Sequence, residues 1–201
     1  MNDPGYNLGK RVNQEEINAQ REQEWQLAIE KLNSQLRIKY GLTAEEPIPI
    51  WLELDLTVIH KVFVDLASLQ GKRILDLGCG SMPSETGGRQ FEPWLCRALK
   101  ELGANPVGID VGQLDTEEFE HYQLDLSKIG ALNIFPDKSF DAVNLAVFFN
   151  SPKLKHMIEP NDIKRIKQEI GNQVKRLLKD NGSILTLRNY VKDDIKSELG
   201  L

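Results

Sequence analysis

The stretch of this sequence best suited to chemistry is a short apolar run that ends in an aspartate and turns at once into closely spaced glycines. Residues 73–81 read Arg-Ile-Leu-Asp-Leu-Gly-Cys-Gly-Ser. The apolar residues suit a buried strand, and Gly78 and Gly80 let the backbone turn sharply because they carry no Cβ. Asp76 then lies at the carboxyl end of a strand, where open α/β sheets place their ligands and where a carboxylate accepts hydrogen bonds from an ammonium group or through water. The pattern predicts a nucleotide-like ligand against this turn.

The spacing of the glycines argues against a nicotinamide dinucleotide as that ligand. A dinucleotide fingerprint reads G-x-G-x-x-G, whereas Gly78 and Gly80 are followed by Pro83 at the position of the third glycine. The acidic residue also stands before the glycines rather than some 20 residues after them. An NAD-dependent oxidoreductase is therefore disfavoured.

Further aspartates follow at the ends of predicted strands. Residues 106–111 form a short apolar run that reaches Asp110, and a carboxylate there offers two acceptor oxygens to two neighbouring hydroxyl groups. Residues 121–126 predict a third strand, with Asp125 near its end. Each aspartate also has a structural interpretation: Asp110 as a solvated residue at a strand end, and Asp125 as an ordinary turn residue.

Two later segments continue the alternation of strands and helices. Residues 135–143 read Phe-Pro-Asp-Lys-Ser-Phe-Asp-Ala-Val, in which Pro136 favours a turn before an apolar run that suits a central strand. Residues 173–187 predict a helix, a stop at Gly182 and a fifth strand. Together with the glycine turn and the strand-end aspartates, these segments resemble the class I S-adenosylmethionine-dependent methyltransferases. In that family an acidic residue precedes G-x-G-x-G, and F-P-D-x-S-F-D-x-V is a common form of the later segment.

The resemblance implies S-adenosylmethionine as the cofactor and assigns roles to the matching residues. Asp110 would bind both ribose hydroxyls, Asp125 would lie near the adenine amino group, and Leu126 would offer its backbone amide. The family's last glycine is replaced here by Met82, which is followed by Pro83. The residues expected at the cofactor are Asp76, Gly78, Cys79, Gly80, Ser81, Asp110, Val111, Asp125, Leu126 and Leu145.

The methyl acceptor has no comparable motif. Arg89, in the loop of residues 81–91, is a candidate for contact with the cofactor's carboxylate or with an acidic substrate, and the alternative is a solvated loop residue. Phe149 and Asn150 lie at the end of the fourth strand, where the family places the nucleophile beside the methyl group. Asn150 is followed by Ser-Pro-Lys, which does not match the N-P-P-Y motif of base-methylating relatives. The acceptor and the catalytic residues are therefore left unassigned.

The elements that hold these residues are expected to form an α/β fold, a Rossmann-like doubly wound parallel sheet of order 3-2-1-4-5. Residues 71–201 are predicted to form this S-adenosylmethionine-binding domain, and residues 1–70 an N-terminal helical extension. Only residues 190–201 follow the fifth strand, too few for the family's sixth strand and antiparallel seventh strand. The fifth strand is then an edge, and three explanations are open: the sequence is truncated, the family branch is minimal, or a tail or a partner chain, such as a second copy, covers the edge.

Two helices are predicted in the N-terminal extension. Asn13 and Glu16 fit a capping box, and apolar residues then recur at three- and four-residue spacing until Gly41. A second apolar pattern runs from Leu52 to Leu69 and predicts another helix. In related enzymes such helices often cover the cofactor and shape the substrate pocket. The alternative is that they only cover one face of the sheet.

Composition sets further limits. At 201 residues with 40% hydrophobic content the chain can bury one core, and its net charge of −5 disfavours non-specific nucleic-acid binding. No apolar run approaches the roughly 20 residues of a membrane helix, and the N-terminus lacks a signal-peptide pattern, which predicts a soluble cytoplasmic protein without membrane contact. Two cysteines without C-x-x-C spacing support neither a disulfide framework nor a metal site. Cys79 is interpreted as a small loop residue and not as a nucleophile.

The function that these features favour is methyl transfer from S-adenosylmethionine to an unidentified small-molecule acceptor. The alternative is a partner or regulatory subunit that binds S-adenosylmethionine without its own catalysis. An NAD-dependent oxidoreductase ranks third.

Overall fold

Helices and parallel strands alternate along this chain. The computed structural model describes residues 5–43, 45–46, 48–81, 89–145 and 160–185. The helices are α1 (Gly5–Lys39), α2 (Ile50–Val62), α3 (Leu66–Leu69), α4 (Trp94–Glu101) and α5 (Pro160–Leu177), with short 3₁₀ helices at Arg89–Phe91 and Ala131–Ile134. The strands are β1 (Arg73–Leu77), β2 (Asn105–Asp110), β3 (Glu120–Gln123), β4 (Phe140–Asn144) and β5 (Leu178–Leu185). Within the described ranges, none of the helices has the length and apolar character needed to span a bilayer.

The five strands form one parallel sheet in the order β3-β2-β1-β4-β5. β1 is central: Leu75 pairs with Val107 of β2 on one side and with Val143 of β4 on the other. Every pairing among the described strands is parallel. The order predicted from the sequence is confirmed, and it places the carboxyl ends of β1 and β2 side by side, where sheets of this kind bind ligands.

Successive residues of the central strand point to opposite faces of the sheet, and each face carries its own hydrophobic cluster. Leu75 and Leu77 pack with Ile170 and Val174 of α5. Ile74 packs on the other face with apolar residues of α1, α2 and α4. Helices thus cover both faces, as in a doubly wound fold, and the N-terminal helices share their core with the sheet.

The first helix is longer than predicted. α1 begins at Gly5, so Asn13 and Glu16 lie inside the helix and do not cap it. Residues 5–39 contain no proline that would interrupt the backbone hydrogen bonds of the helix. The predicted start was therefore wrong. The predicted end is confirmed, because Gly41 takes the left-handed conformation, with φ +61°, that follows many helices.

The second predicted helix is divided into α2 and α3. α2 ends at Val62, and Phe63 is extended with φ −104° and ψ 90°. Asp65 then caps α3, because its carboxylate accepts a hydrogen bond of 2.7 Å from the backbone N–H of Ser68. Because Asp65 caps a new helix, the backbone does not continue the previous one. The spacing of the apolar residues alone does not reveal this break.

The fifth strand begins earlier than predicted and is irregular. Leu178 pairs with Phe140, and regular pairing resumes only where Ser183 lies opposite Ala142. The predicted stop at Gly182 therefore lies inside the strand, at a shift of register.

Candidate functional site

The glycine turn after β1 lies against the end of β2. The backbone N–H groups of Gly78 and Cys79 both donate to the carbonyl of Ile109, at 2.8 and 3.0 Å. Gly78 has φ +73° and Gly80 has φ +90°, conformations that side chains other than glycine rarely adopt. This geometry brings the predicted turn beside Asp110, the last residue of β2.

Asp110 holds the turn with both oxygens of its carboxylate. One oxygen accepts from the N–H of Gly80 at 3.1 Å, and the other accepts from the N–H of Gly112 at 3.0 Å. Each carboxylate oxygen has two acceptor sites, so each retains capacity for a further hydrogen bond. The side chain is half-buried. Asp110 is thus able to order the turn and to accept hydrogen bonds from two ligand hydroxyls at once.

Gly80 is required by close packing as well as by its backbone conformation. A Cβ at this position would lie 2.2 Å from the carbonyl oxygen of Phe91, and the N–H of Ser81 donates to that same oxygen at 3.0 Å. The turn is therefore fixed between β2 and the short helix of residues 89–91.

Asp76 lies under this turn and is almost completely buried, with 3% of its surface exposed. Its carboxylate accepts from the amide of Asn144 on β4 at 2.8 Å and from the thiol of Cys96 on α4 at 3.6 Å. Burial raises the pKa of Asp76 to about 6; the hydrogen bonds from Asn144 and Cys96 oppose this rise, and the charge of Asp110 adds to it. The predicted strand-end carboxylate thus has polar partners on two neighbouring elements.

A second carboxylate beside Asp76 was missed by sequence reasoning. Asp55 lies on α2 among residues that pack against the sheet, and only 6% of its surface is exposed. Burial raises the pKa of Asp55 to about 8, and the nearby charge of Asp76 contributes to the rise. The available signal was an aspartate on the apolar side of an amphipathic helix, next to Leu56 and one turn after Trp51.

The sulfurs of both cysteines lie close to Gly108 of β2. A Cβ on that glycine would meet the sulfur of Cys79 at 2.9 Å and the sulfur of Cys96 at 3.3 Å. Both thiols are buried, and burial raises the pKa of each. Both side chains are therefore protonated packing groups at neutral pH and poor nucleophiles.

The predicted adenine-side residues lie after β3. Asp125 accepts from the N–H and the hydroxyl of Ser127 at 2.9 and 2.6 Å, which forms a local turn. Burial acts to raise the pKa of Asp125, but these bonds and the charge of Lys128 lower it overall. Leu126 is buried, whereas Val111 after β2 is exposed. The structural interpretation of Asp125 as a turn residue is thus satisfied, and its role toward adenine stays a prediction.

Of the remaining predicted residues, the structure describes Leu145 and Arg89. Leu145 is buried after β4, where its N–H donates to Leu185 at 3.2 Å. Arg89 pairs with Glu92 at 2.8 Å and donates to the carbonyl of Tyr40 at 2.7 Å, so it connects the end of α1 to the loop before α4. Its contact with a cofactor or substrate stays a prediction. Phe149 and Asn150 lie outside the described residues.

Comparison with known proteins gives distant structural likeness alone. No family model matches this sequence, and no curated protein matches it. A solved structure described as "Crystal structure of trans-methyltransferase CalH complex with SAH" matches with a TM-score of 0.37 and 14% sequence identity. The match covers 89% of this chain and 53% of that one, so this chain spans about half the length of that protein. At this TM-score no activity is transferred, and the chemistry has to be inferred from the residues of the site itself.

Proposed function

We propose that this chain binds S-adenosylmethionine and transfers its methyl group to a small-molecule acceptor. The observation that carries the proposal is the junction of β1 and β2. There a glycine turn with no room for a Cβ lies against a strand-end carboxylate that retains acceptor capacity. The junction belongs to a parallel sheet of order β3-β2-β1-β4-β5, the order that the resemblance to class I methyltransferases predicts.

The residues present fit the cofactor part by part. Asp110 offers two oxygens to the ribose hydroxyls, and the backbone of Gly78, Cys79 and Gly80 allows close approach because no Cβ intervenes at the two glycines. The proposal assigns the turn after β3, with Asp125 and the backbone of Leu126, to the adenine. The buried carboxyl groups below the turn suit the cationic amino-acid end of the cofactor.

Methyl transfer demands positioning more than covalent chemistry from these residues. When bound, S-adenosylmethionine supplies an activated methyl group on a sulfonium, with a neutral leaving group. The chain's contribution is to orient the ligand from Asp110 and the glycine turn, and to exclude water through the helices packed over the sheet. The segment expected to meet the acceptor, residues 146–159, lies outside the described residues.

Calorimetric titration with S-adenosylmethionine, S-adenosylhomocysteine and NAD tests the proposal. We expect the intact chain to bind both adenosyl ligands and not NAD. Asp110→Ala is expected to weaken binding by at least ~10-fold, the value of a charge-assisted hydrogen bond. Asp115→Ala, at an exposed position in the following loop, is the matched control and is expected to bind as the parent does.

Two outcomes of this titration contradict the proposal. Binding of NAD without binding of S-adenosylmethionine would favour an oxidoreductase. Equal affinities for the parent and Asp110→Ala would show that the ligand does not bind at the β1–β2 junction.

A screen of methyl acceptors tests the catalytic part of the proposal. Binding without methyl transfer to any acceptor in a broad screen would favour the non-catalytic alternative.

A further inference from the structure

The position of Asp55 brings it to the ligand side of the sheet. α2 packs through Leu52, Leu56 and Ile59 on the face to which Ile74 points. Asp76 lies two residues after Ile74 on the same strand, so it points to the same face and stands at the carboxyl end. Asp55 and Asp76 therefore approach each other between α2 and the glycine turn, close enough for the charge of one to affect the other.

The two carboxyl groups differ in what they bind. Asp76 accepts hydrogen bonds from Asn144 and Cys96. Asp55 is 6% exposed, yet it makes no hydrogen bond or ion pair with any other residue that the structure describes. A buried carboxyl group without a partner is costly, and its presence in a native structure calls for an explanation such as a catalytic role or a bound ion, water or ligand. Asp55 is thus a nearly buried carboxyl group with no donor among the described residues.

The surroundings of Asp55 favour a cationic partner. Burial raises the pKa of Asp55 and the charge of Asp76 on β1 adds to the rise, so the pair repels a third anion and attracts a cation. On the same face of the sheet, α4 contributes the neutral thiol of Cys96 and β5 contributes the apolar Leu185. Glu22 of α1 is engaged with His60 at 3.6 Å. No cationic side chain among the described residues bonds to Asp55, so the ammonium group of a ligand suits this position.

We propose that Asp55 binds the ammonium group of the methionine part of the ligand, with Asp76 as the second carboxylate beneath it. This inference rests on the proposed function, since it specifies which residue receives one end of S-adenosylmethionine. On this proposal α2, a helix of the N-terminal extension, contributes a side chain to ligand binding in addition to covering the sheet.

Ligand binding is then linked to a proton. In the free protein Asp55, with a pKa of about 8, is largely protonated at pH 7. An ammonium group favours the ionised carboxylate, so binding at pH 7 releases roughly one proton per site. Affinity for an ammonium-bearing ligand therefore rises with pH until Asp55 is ionised in the free protein as well. Asp76, with a pKa of about 6, contributes to such release only at lower pH.

The test compares two ligands and three proteins. The ligands are S-adenosylhomocysteine and its deaminated analogue, which differ only in the amino group. The proteins are the parent, Asp55→Asn, and Glu53→Gln as an exposed carboxyl-to-amide control on the same helix. We expect the parent and Glu53→Gln to prefer the amino ligand by about 10- to 100-fold, the range for a hydrogen bond to a charged group, and Asp55→Asn to lose this preference.

Proton release supplies a readout that a purely structural role would not move. Calorimetry of S-adenosylhomocysteine binding in buffers of different ionisation enthalpy measures it on the intact protein, even if Asp55→Asn does not fold. We expect release with the amino ligand and none with its deaminated analogue. No release with either ligand, or an unchanged ligand preference in Asp55→Asn, would overturn the assignment of Asp55. Failure of the parent to bind S-adenosylhomocysteine would instead overturn the proposed function, and the assignment with it.

Discussion

At the scale of single residues, the candidate site depends on two carboxyl groups in different surroundings. Asp55 is a carboxyl group held in an apolar contact between helix and sheet, where burial favours the protonated form. Asp110 is half-buried and anchors two backbone amides. The first group is suited to meeting a cation, and the second to meeting hydroxyl groups. On our proposal, these two carboxylates bind different parts of the ligand.

The raised pKa of Asp55 predicts how stability changes with pH in the ligand-free protein. A carboxyl group whose pKa rises from 3.8 to about 8 on folding contributes most below pH ~4, and the contribution is lost as pH rises through 8. We expect Asp55→Asn to be more stable than the parent by up to ~5 kcal/mol at pH 8, with the difference shrinking toward pH 4. Urea unfolding at several pH values measures this. A pH-independent difference, or the same pattern in Glu53→Gln, would show that Asp55 does not titrate as described.

The close packing around Gly80 predicts that adding a single methyl group strongly lowers the stability of the protein. Gly80→Ala places a Cβ 2.2 Å from the carbonyl of Phe91 in a residue with φ +90°. We expect it to lower the free energy of unfolding by at least ~3 kcal/mol, from backbone strain plus the clash. Gly71→Ala is the control, because Gly71 has φ +68° but no atom within 4 Å of the added Cβ, and only backbone strain of about 1 kcal/mol is expected. Equal losses measured by urea unfolding would contradict the close packing of the turn.

Sequence reasoning at this scale placed residues correctly where their position follows from a strand. Asp76 and Asp110 were expected at neighbouring strand ends, and the structure places them there. Their roles toward a ligand stay predictions. Asp55 was missed because a helical pattern tells which residues are buried but not which strand end they meet. Arg89 was singled out only as a charged loop residue, and its bonds to Glu92 and Tyr40 depend on a distant part of the chain.

At the scale of elements, a buried ionic cluster joins α1, α4 and the loop before β3. Arg97 is 3% exposed and pairs with Glu92 and with Glu117. Its guanidinium also lies over the rings of Tyr40 and Trp94, at 4.1 and 4.6 Å from their centroids. These contacts fix α4, which supplies Cys96 to the site, against the end of α1.

This cluster predicts a loss of stability when its cation is removed. Arg97→Ala leaves two buried carboxylates without their partner and is expected to cost about 3 kcal/mol at neutral pH. Arg165→Ala, which breaks an exposed pair with Asp162, is expected to cost less than ~0.5 kcal/mol. Thermal unfolding of both variants measures the two losses, and equal effects of the two substitutions would contradict the structural role of Arg97.

The sequence also predicted elements unequally. Strands β1, β2 and β4 are short apolar runs bounded by turns, and their parallel order followed from the alternation with helices and from the family resemblance. The helices were placed correctly, but the start of α1 and the break between α2 and α3 were not. Apolar spacing does not register the cap at Asp65, and a polar pattern at Asn13 suggested a start where the helix continues. The division at residue 70 between an extension and a binding domain stays a prediction.

At the scale of the whole molecule, one sheet is shared by two hydrophobic clusters. The cluster on the α2 face combines residues from α1, α2 and α4 with Ile74, Ala142 and Leu185 of three strands. The cluster on the α5 face contains their strand neighbours, such as Leu75 and Val143. Neither cluster is able to unfold without exposing residues that support the same strands. The described part of the chain is therefore expected to unfold as one unit.

The placement of tryptophan makes this expectation measurable. The three tryptophans of the chain, Trp25, Trp51 and Trp94, belong to α1, α2 and α4. Their fluorescence reports the helices on one face of the sheet, whereas far-ultraviolet circular dichroism reports all elements. We expect the two signals to change at the same urea concentration. A fluorescence transition at lower urea would show that α1, α2 and α4 detach before the sheet unfolds.

The most direct test of the central claim is a crystal structure of the chain with S-adenosylhomocysteine. The claim is that the ligand lies across the carboxyl ends of β1 and β2, between the glycine turn and α2. We expect the ribose hydroxyls within hydrogen-bond distance of Asp110 and the amino group within hydrogen-bond distance of Asp55. A ligand bound elsewhere, or at this place without a contact to Asp110, would contradict the claim.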